Sequence, residues 1–451
     1  MNVIIVGCGR VGATLAEKLN DDGNDVTIID KSAEKVKTIT SRCDIMGIVG
    51  NGATHTVQRE AGIDRADLLI AVTNSDELNL LCCMIAKKEG DCKTIARVKN
   101  PEYSAETPYF KDELGLAMVI NPEYATAEEI ARVLRFPSAI KIEPFVKGSV
   151  ELIKFRLPVG CKIAGMSVKE VVMKLKCDVL VCTIERGEET YIANGDFVFA
   201  EKDVVSIIAT VKNAKDFFEK INYKGNSIKD ALVVGGGVIT HYLCGILERS
   251  SISLKIVEKD LSVCEELSNR WDKVVVIHGD AGDQELLREE GVSNAGAFVA
   301  LSSTDEENIL LSMFAKSEGC NKLITKIKRT DYDSVINRLD LDTTVCPKSI
   351  TADIILRYVR ARKNAKGSHV RTMYNIVQDK VEASEFIVEE NSPIVGKPLC
   401  ELKFKSEVLI ASITRGNTVI VPRGNDIIQA GDAVVIVSGQ LGLQDVADVL
   451  K

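Results

Sequence analysis

The chain is 451 residues long, 45% apolar and 27% charged, with a net charge of -8. That length asks for several domains, and an acidic balance without a Lys/Arg block argues against a nucleic-acid partner, because phosphate backbones are held by basic fields. Thirteen cysteines with no CxxC pair and four scattered histidines offer neither a disulfide framework nor a zinc centre, so reduced thiols and no bound metal are expected. The first residues enter a strand without signal-peptide features, and no run approaches the ~20 apolar residues that cross a bilayer. A cytoplasmic location is the expectation.

Taken in chain order, "NVIIVG", "DVTIID", "IMGIVG", "LLIAVT" and "KTIARV" are short, continuous apolar runs rich in β-branched residues. Runs of this kind read as strands buried on both faces. Between the first two, "VGATLAEKLND" places Val11, Leu15, Ala16 and Leu19 at helical spacing. "LAMVINPEY" makes a sixth step into the helix "ATAEEIARVLRF", which ends before Pro137. Strand–helix alternation predicts a doubly wound parallel sheet over residues 1–136. From 137 to 222 the strands shorten around turns at Arg186-Gly187 and Asn194-Gly195, with one helix in "SVKEVVMKLK", which reads as a small α+β module.

The plan then repeats. The same spacing separates Gly7 from Gly235 and Asp30 from Glu258, and "GNGATHTVQREAGIDRADLLIAVTNSDELNLL" aligns with "GDAGDQELLREEGVSNAGAFVALSSTDEENILL". "IAGMSVKEV" likewise matches "IVGKPLCEL". A second sheet domain is expected over 228–364 and a second small module over 366–451, with "NYKGNS" and "NAKGS" as linkers. The fold class is therefore α/β: two Rossmann-like domains, each followed by a small α+β domain.

The turn Gly7-Cys8-Gly9-Arg10-Val11-Gly12 follows a strand and opens a helix, the context in which GxGxxG holds a dinucleotide. Gly7 permits the tight turn, Gly9 leaves room for pyrophosphate and Gly12 lets helix and strand pack closely. Unpaired N–H groups at the helix start face the phosphates. Arg10 either pairs with phosphate or is a solvated helix-start residue. Asp30, at the end of the next strand, can accept both ribose hydroxyls and repels a 2′-phosphate, favouring NAD(H) or a plain adenine nucleotide. Asn51 and Gly52 end the third strand where a base can lie, and Thr73 and Asn74 follow the fourth at the same edge. Ser75 competes as a helix cap. In the second copy Gly235, Gly237, Glu258 and Asp280 keep the pattern. Val238 and Thr240 replace Arg10 and Gly12, so a weaker site, one for ATP or ADP, or a structural remnant is expected. Thr240 should also push its helix away from the strand.

These motifs, with "REAGID" and "KTIARVKNPEY", resemble the tandem RCK (KTN) proteins that regulate potassium transport, over essentially the whole chain. The resemblance implies a non-catalytic cytosolic subunit that binds NAD(H) at the first site and gates a transmembrane Trk-type potassium-translocating partner. Four tandem chains would form a ring at the inner face of the membrane. It also brings in Arg97, at the end of the fifth strand, as a phosphate or neighbour contact. Asn51 stands where the family usually has an acid.

The alternative is an NAD-dependent oxidoreductase. A dehydrogenase needs an acid–base residue near the nicotinamide. His55, the only histidine of the first sheet domain, lies beside the adenosine side, and the module after that domain has none. No set of residues reads as catalytic. The helix Thr126–Phe136 and its counterpart Thr351–Val359 either link each sheet domain to its module or swap between neighbours.

Overall fold

The structure is a computed structural model describing residues 1–451 except 101–102, 104–105, 138, 146–148, 188, 224–227, 321, 329–340, 365–369, 378–379, 417, 440–442 and 444. Most of both expected linkers lies outside the described residues, as does His369. The first sheet contains β1 (Asn2–Val6), β2 (Asp25–Asp30), β3 (Met46–Val49), β4 (Leu68–Ala71), β5 (Lys93–Arg97) and β6 (Met118–Ile120). Their order is β3-β2-β1-β4-β5-β6 and all pairings are parallel. This is the doubly wound order, with its switch point between β1 and β4.

Strands β1 and β4 are buried along almost their whole length, as continuous apolar runs require. β3 differs from the expected two-sided burial: Met46 and Val49 are exposed, because this strand is the sheet edge and only Ile48 meets the core. The helix Arg10–Asp21 buries Val11, Gly12, Leu15, Ala16 and Leu19 on one face.

After β7 (Ala139–Phe145), β8 (Val150–Arg156), β9 (Leu180–Arg186), β10 (Glu189–Ile192) and β11 (Val204–Ala209), the chain enters a second six-stranded sheet. It holds β12 (Asp230–Val234), β13 (Ser253–Glu258), β14 (Val274–His278), β15 (Ala297–Ala300), β16 (Leu323–Lys326) and β17 (Thr343–Val345), in the order β14-β13-β12-β15-β16-β17. The last sheet has β18 (Val370–Val377), β19 (Val381–Ile387), β20 (Val408–Arg415), β21 (Thr418–Ile420) and β22 (Ala433–Ser438).

The described residues divide into two compact units, each discontinuous in the chain: Met1–Arg135 with Ser227–Leu356, and Phe136–Asn226 with Arg357–Lys451. Within the first unit, the helix Pro122–Arg135 decides the matter that periodicity left open. It follows β6 of the first sheet, yet Ala127, Ile130, Ala131 and Leu134 are buried in the core of the second, among Ile239, Leu243 and Ile256. Ile130 and Leu134 are fully buried there, each worth about 1.5–3 kcal/mol. Asn121 also donates to the Tyr242 hydroxyl at 3.0 Å, and Tyr124 meets Tyr242 edge-on. In the other direction, Lys18 pairs with Asp353 at 3.0 Å. The two sheet domains are thus joined by an exchange inside one chain.

In the second unit both sheets are antiparallel, ordered β10-β9-β11-β8-β7 and β18-β19-β22-β20-β21. They share a core in which Leu152, Cys182 and Ile208 meet Tyr374, Ala411 and Val437. Arg186 grips buried Asp203 through two bonds of 2.8 Å, and Arg415 repeats the grip on Asp432. Ser167 and Glu170 form a capping box on the helix Val168–Leu175, whereas the matching segment of the second copy makes only the single turn Leu399–Glu401 after Pro398. All thirteen cysteines are free, and all but Cys43, Cys346 and Cys400 are buried. Among the described residues no helix is long and apolar enough to cross a membrane.

Candidate nucleotide site

The first glycine turn is built as its spacing predicts. Gly7 has φ +107°, left-handed backbone that glycine tolerates, and a Cβ on it would come within 3.0 Å of the Thr73 nitrogen after β4. A Cβ on Gly12 would sit 1.8 Å from the Gly7 carbonyl oxygen, so that close helix–strand contact admits only glycine. Gly9 caps the helix without any side-chain bond, and the space beside its Cα is open. The first N–H groups of the helix are therefore available to an anion.

Asp30 is tied into the turn: one carboxylate oxygen accepts from the Cys8 N–H at 2.6 Å and the other from the Ser32 N–H at 2.8 Å. Each oxygen keeps a further lone pair for a ribose hydroxyl. Asn51 accepts from the Ala53 N–H at 3.2 Å in an Asx turn, and Gly52 is buried against Val6. Thr73 does not present its hydroxyl freely. That group and the Thr73 N–H both donate to the Asn79 side-chain oxygen, at 2.7 and 2.8 Å. Ser75 does cap the helix Asp76–Glu89, accepting from the Leu78 N–H at 3.1 Å. His55 pairs with Glu89 at 2.8 Å on the surface.

The second turn repeats this construction with different atoms. Gly235 has φ +97°, and Glu258 accepts from the Gly236 N–H at 2.6 Å and the Asp260 N–H at 2.8 Å. Asp280 forms the same Asx turn as Asn51, accepting from Gly282 at 2.8 Å. Thr240 is absorbed into the turn by donating to the Gly235 carbonyl at 2.5 Å. No Cβ fits at the Gly12 position of the first turn, so helix and strand are spaced differently in the two copies.

Two cavities adjoin these turns. One of about 390 Å³ is lined by Gly235, Gly237, Glu258 and Asp280 together with Lys326 and Lys328, so all four predicted residues of the second copy meet at one place. The other, of about 460 Å³, lies between the two sheet domains of the first unit. Gly9, Arg10, Val11, Asn74 and Arg97 reach it from the first copy, and Gly237 and Val238 from the second. Asp30, Asn51, Gly52 and Thr73 lie outside it.

Sequence reasoning missed several residues here. Asn79 bridges the ends of β4 and β5 by donating to the Arg97 carbonyl at 2.9 Å, and Asn308 does the same to Lys326 at 3.0 Å. Buried Asp76 and Asp305 accept from the backbone of Lys99 and Lys328. The repeated "D..N" of "SDELN" and "TDEEN" was the signal. Lys326, which occupies the Arg97 position, is 8% exposed and donates to the Leu301 carbonyl at 2.7 Å. Burial, and then Lys328, pushes its ammonium down to about 8.

Fold and turns together define a tandem protein of Rossmann type with a glycine turn and a strand-end acid in each half. Residues 3–122 and 231–347 match the TrkA-N domain family, and residues 152–222 and 383–451 the TrkA-C domain family. The chain belongs to this TrkA family. It is 33% identical, over 459 residues covering all of both chains, to Trk system potassium uptake protein TrkA homolog 1 of Methanosarcina mazei. It is 31% identical to Trk system potassium uptake protein TrkA of Halomonas elongata, over 97% of this chain and 95% of that one. Among solved structures, the GsuK channel bound to NAD is similar with a TM-score of 0.63 at 15% identity, over 97% of this chain and 77% of that one.

Proposed function

We propose that this chain is the nucleotide-binding regulatory subunit of a potassium uptake system, acting from the cytoplasmic face on a Trk-type transmembrane partner. The observation that carries the reading is the duplicated turn: two uncapped helix starts, each with a strand-end acid, are joined through one exchanged helix and face a common cavity. The first turn takes NAD(H), held by the backbone of Gly7–Gly12 and by Asp30, and the second takes ATP or ADP. The NAD in the similar channel structure supports this choice. The names of the relatives supply potassium as the ion and the transport system as the partner.

A ligand regulates only by binding two states unequally. Because the helix Pro122–Arg135 is anchored in the core of the other half, a shift at one turn must be accommodated by the other. Leu81 and Met84 lie exposed on the helix Asp76–Glu89, and Leu310 and Met313 repeat them on the helix Asp305–Ser317. Paired apolar patches of this kind support self-association into a ring of four chains.

Calorimetry with NADH, NAD, NADPH, ATP and ADP tests the reading. Saturable binding of NADH with discrimination against NADPH is expected, and failure of every nucleotide to bind would overturn it.

A further inference from the structure

We propose that the faces joining the two antiparallel sheets of the second unit have diverged into an unlike pair. Each face accepts the other sheet and rejects a copy of itself, so chains can join through these faces only by exchanging unlike sheets.

The strand registers fix which residues are equivalent. Ser206 lies opposite Lys154 and Thr183, as Val435 lies opposite Glu385 and Ser412. β9 and β20 also slip by one residue at the same place, at Cys182 and at Ala411. Leu152 therefore corresponds to Ala383, Cys182 to Ala411 and Ile208 to Val437. All six are buried in the core that the two sheets share.

At each of these positions the first sheet carries the larger side chain. Two first sheets would set the large residues against each other and overpack the joint. Two second sheets would leave the space of Leu152, Cys182 and Ile208 empty. Both faults are costly at native packing density.

The polar atoms make the same choice. Lys154, paired with Glu185 at 2.6 Å, donates across the joint to the Ile376 carbonyl at 3.4 Å. Ile376 lies where β18 slips against β19, between Asn375 and Val377. β7 pairs Glu143, Pro144 and Phe145 with β8 in unbroken register, so the first sheet has no equivalent of this residue. Glu385 occupies the position of Lys154. A pair of second sheets would thus aim a carboxylate at that carbonyl, acceptor against acceptor.

A pair of first sheets meets the same fault elsewhere. Tyr374, opposite Ala383, donates its hydroxyl to the Pro144 carbonyl at 2.7 Å. Its equivalent, opposite Leu152, is Glu143, which as a carboxylate has no proton to donate. Arg357 serves the two unlike residues together: it pairs with Glu143 at 3.4 Å and lies over the Tyr374 ring, 5.1 Å from its centroid.

The test exchanges side chains in the full chain and follows melting. Ala383→Leu with Ala411→Cys gives both sheets the large set and should lower the melting temperature by about 5 °C or more. Adding Leu152→Ala and Cys182→Ala moves the small set to the first sheet, makes the pair unlike again and should recover most of the loss. That recovery separates a mismatch at the joint from a general folding defect. A twofold variant that melts like the wild type, or a fourfold variant that melts no higher than the twofold one, overturns the inference. In sedimentation the twofold variant should form no larger discrete species than the wild type. A new dimer, held through like faces, would overturn it as well.

Discussion

The two glycine turns occupy equivalent places on equivalent sheets, yet they solve the same steric problem differently. In the first, Gly12 lets the helix close onto the Gly7 carbonyl; in the second, Thr240 fills that gap with a hydroxyl bonded to the Gly235 carbonyl. The first also presents Arg10 to the shared cavity, where the second presents Val238. Losing the third glycine therefore does not destroy the turn. It changes the helix–strand spacing and the local charge while leaving the acid and the Asx turn in place.

The sharpest way to break the comparison is to make the first turn like the second. Gly12→Thr places a Cβ 1.8 Å from the Gly7 oxygen and should cost about 3 kcal/mol or more, with loss of NADH binding, in a denaturant melt followed by calorimetry. Thr240→Gly removes one hydrogen bond and a small buried side chain and adds chain entropy, and should cost about 1–2 kcal/mol. Equal costs would mean that the two turns are interchangeable.

Next come the acids. Asp30→Ala should weaken adenosine ligands at least about tenfold and also destabilise the protein, because it leaves the Cys8 N–H without its partner. That effect on the fold was not expected from Asp30 as a ribose ligand alone. Asp30→Glu should restore most of both, since Glu258 makes the same bonds in the second copy; calorimetry and thermal melting together check this.

Lys326 gives a smaller, pH-dependent difference. Its folded-state pKa lies near 8, below the unfolded 10.5, so the unfolded chain binds more protons between these values. Stability should rise with pH across that window. Lys326→Met should flatten the stability profile, and urea titrations at pH 7 and 10 read it.

The smallest effect on folding should come from Leu81→Asp or Leu310→Asp. Both sites are exposed, so melting should move by less than about 0.5 kcal/mol. Self-association, measured by sedimentation, should weaken.

Much of this was legible in the residues. Continuous β-branched runs, the glycine spacing and the strand-end acid led to two doubly wound sheets with a site in each, and the family match bears out that fold. What was not legible was contact at long range. Thr73 reads as a ligand contact because it ends a strand at the right edge, but its hydroxyl is spent on Asn79. Arg97 and Lys326 share one structural position, and no local pattern shows that their side chains meet Arg10 and Lys348 at one cavity.

Periodicity and turn chemistry are local, and within each half they determined which segments are strands, where the turns fall and which glycines are obligatory. The apolar stripe of the helix Pro122–Arg135 had to be buried, but the pattern is equally satisfied by either half. Only the tertiary structure assigned it to the opposite core, because burial depends on which surface is left uncovered once both sheets have formed. That choice brings the two glycine turns together around a single cluster of cations.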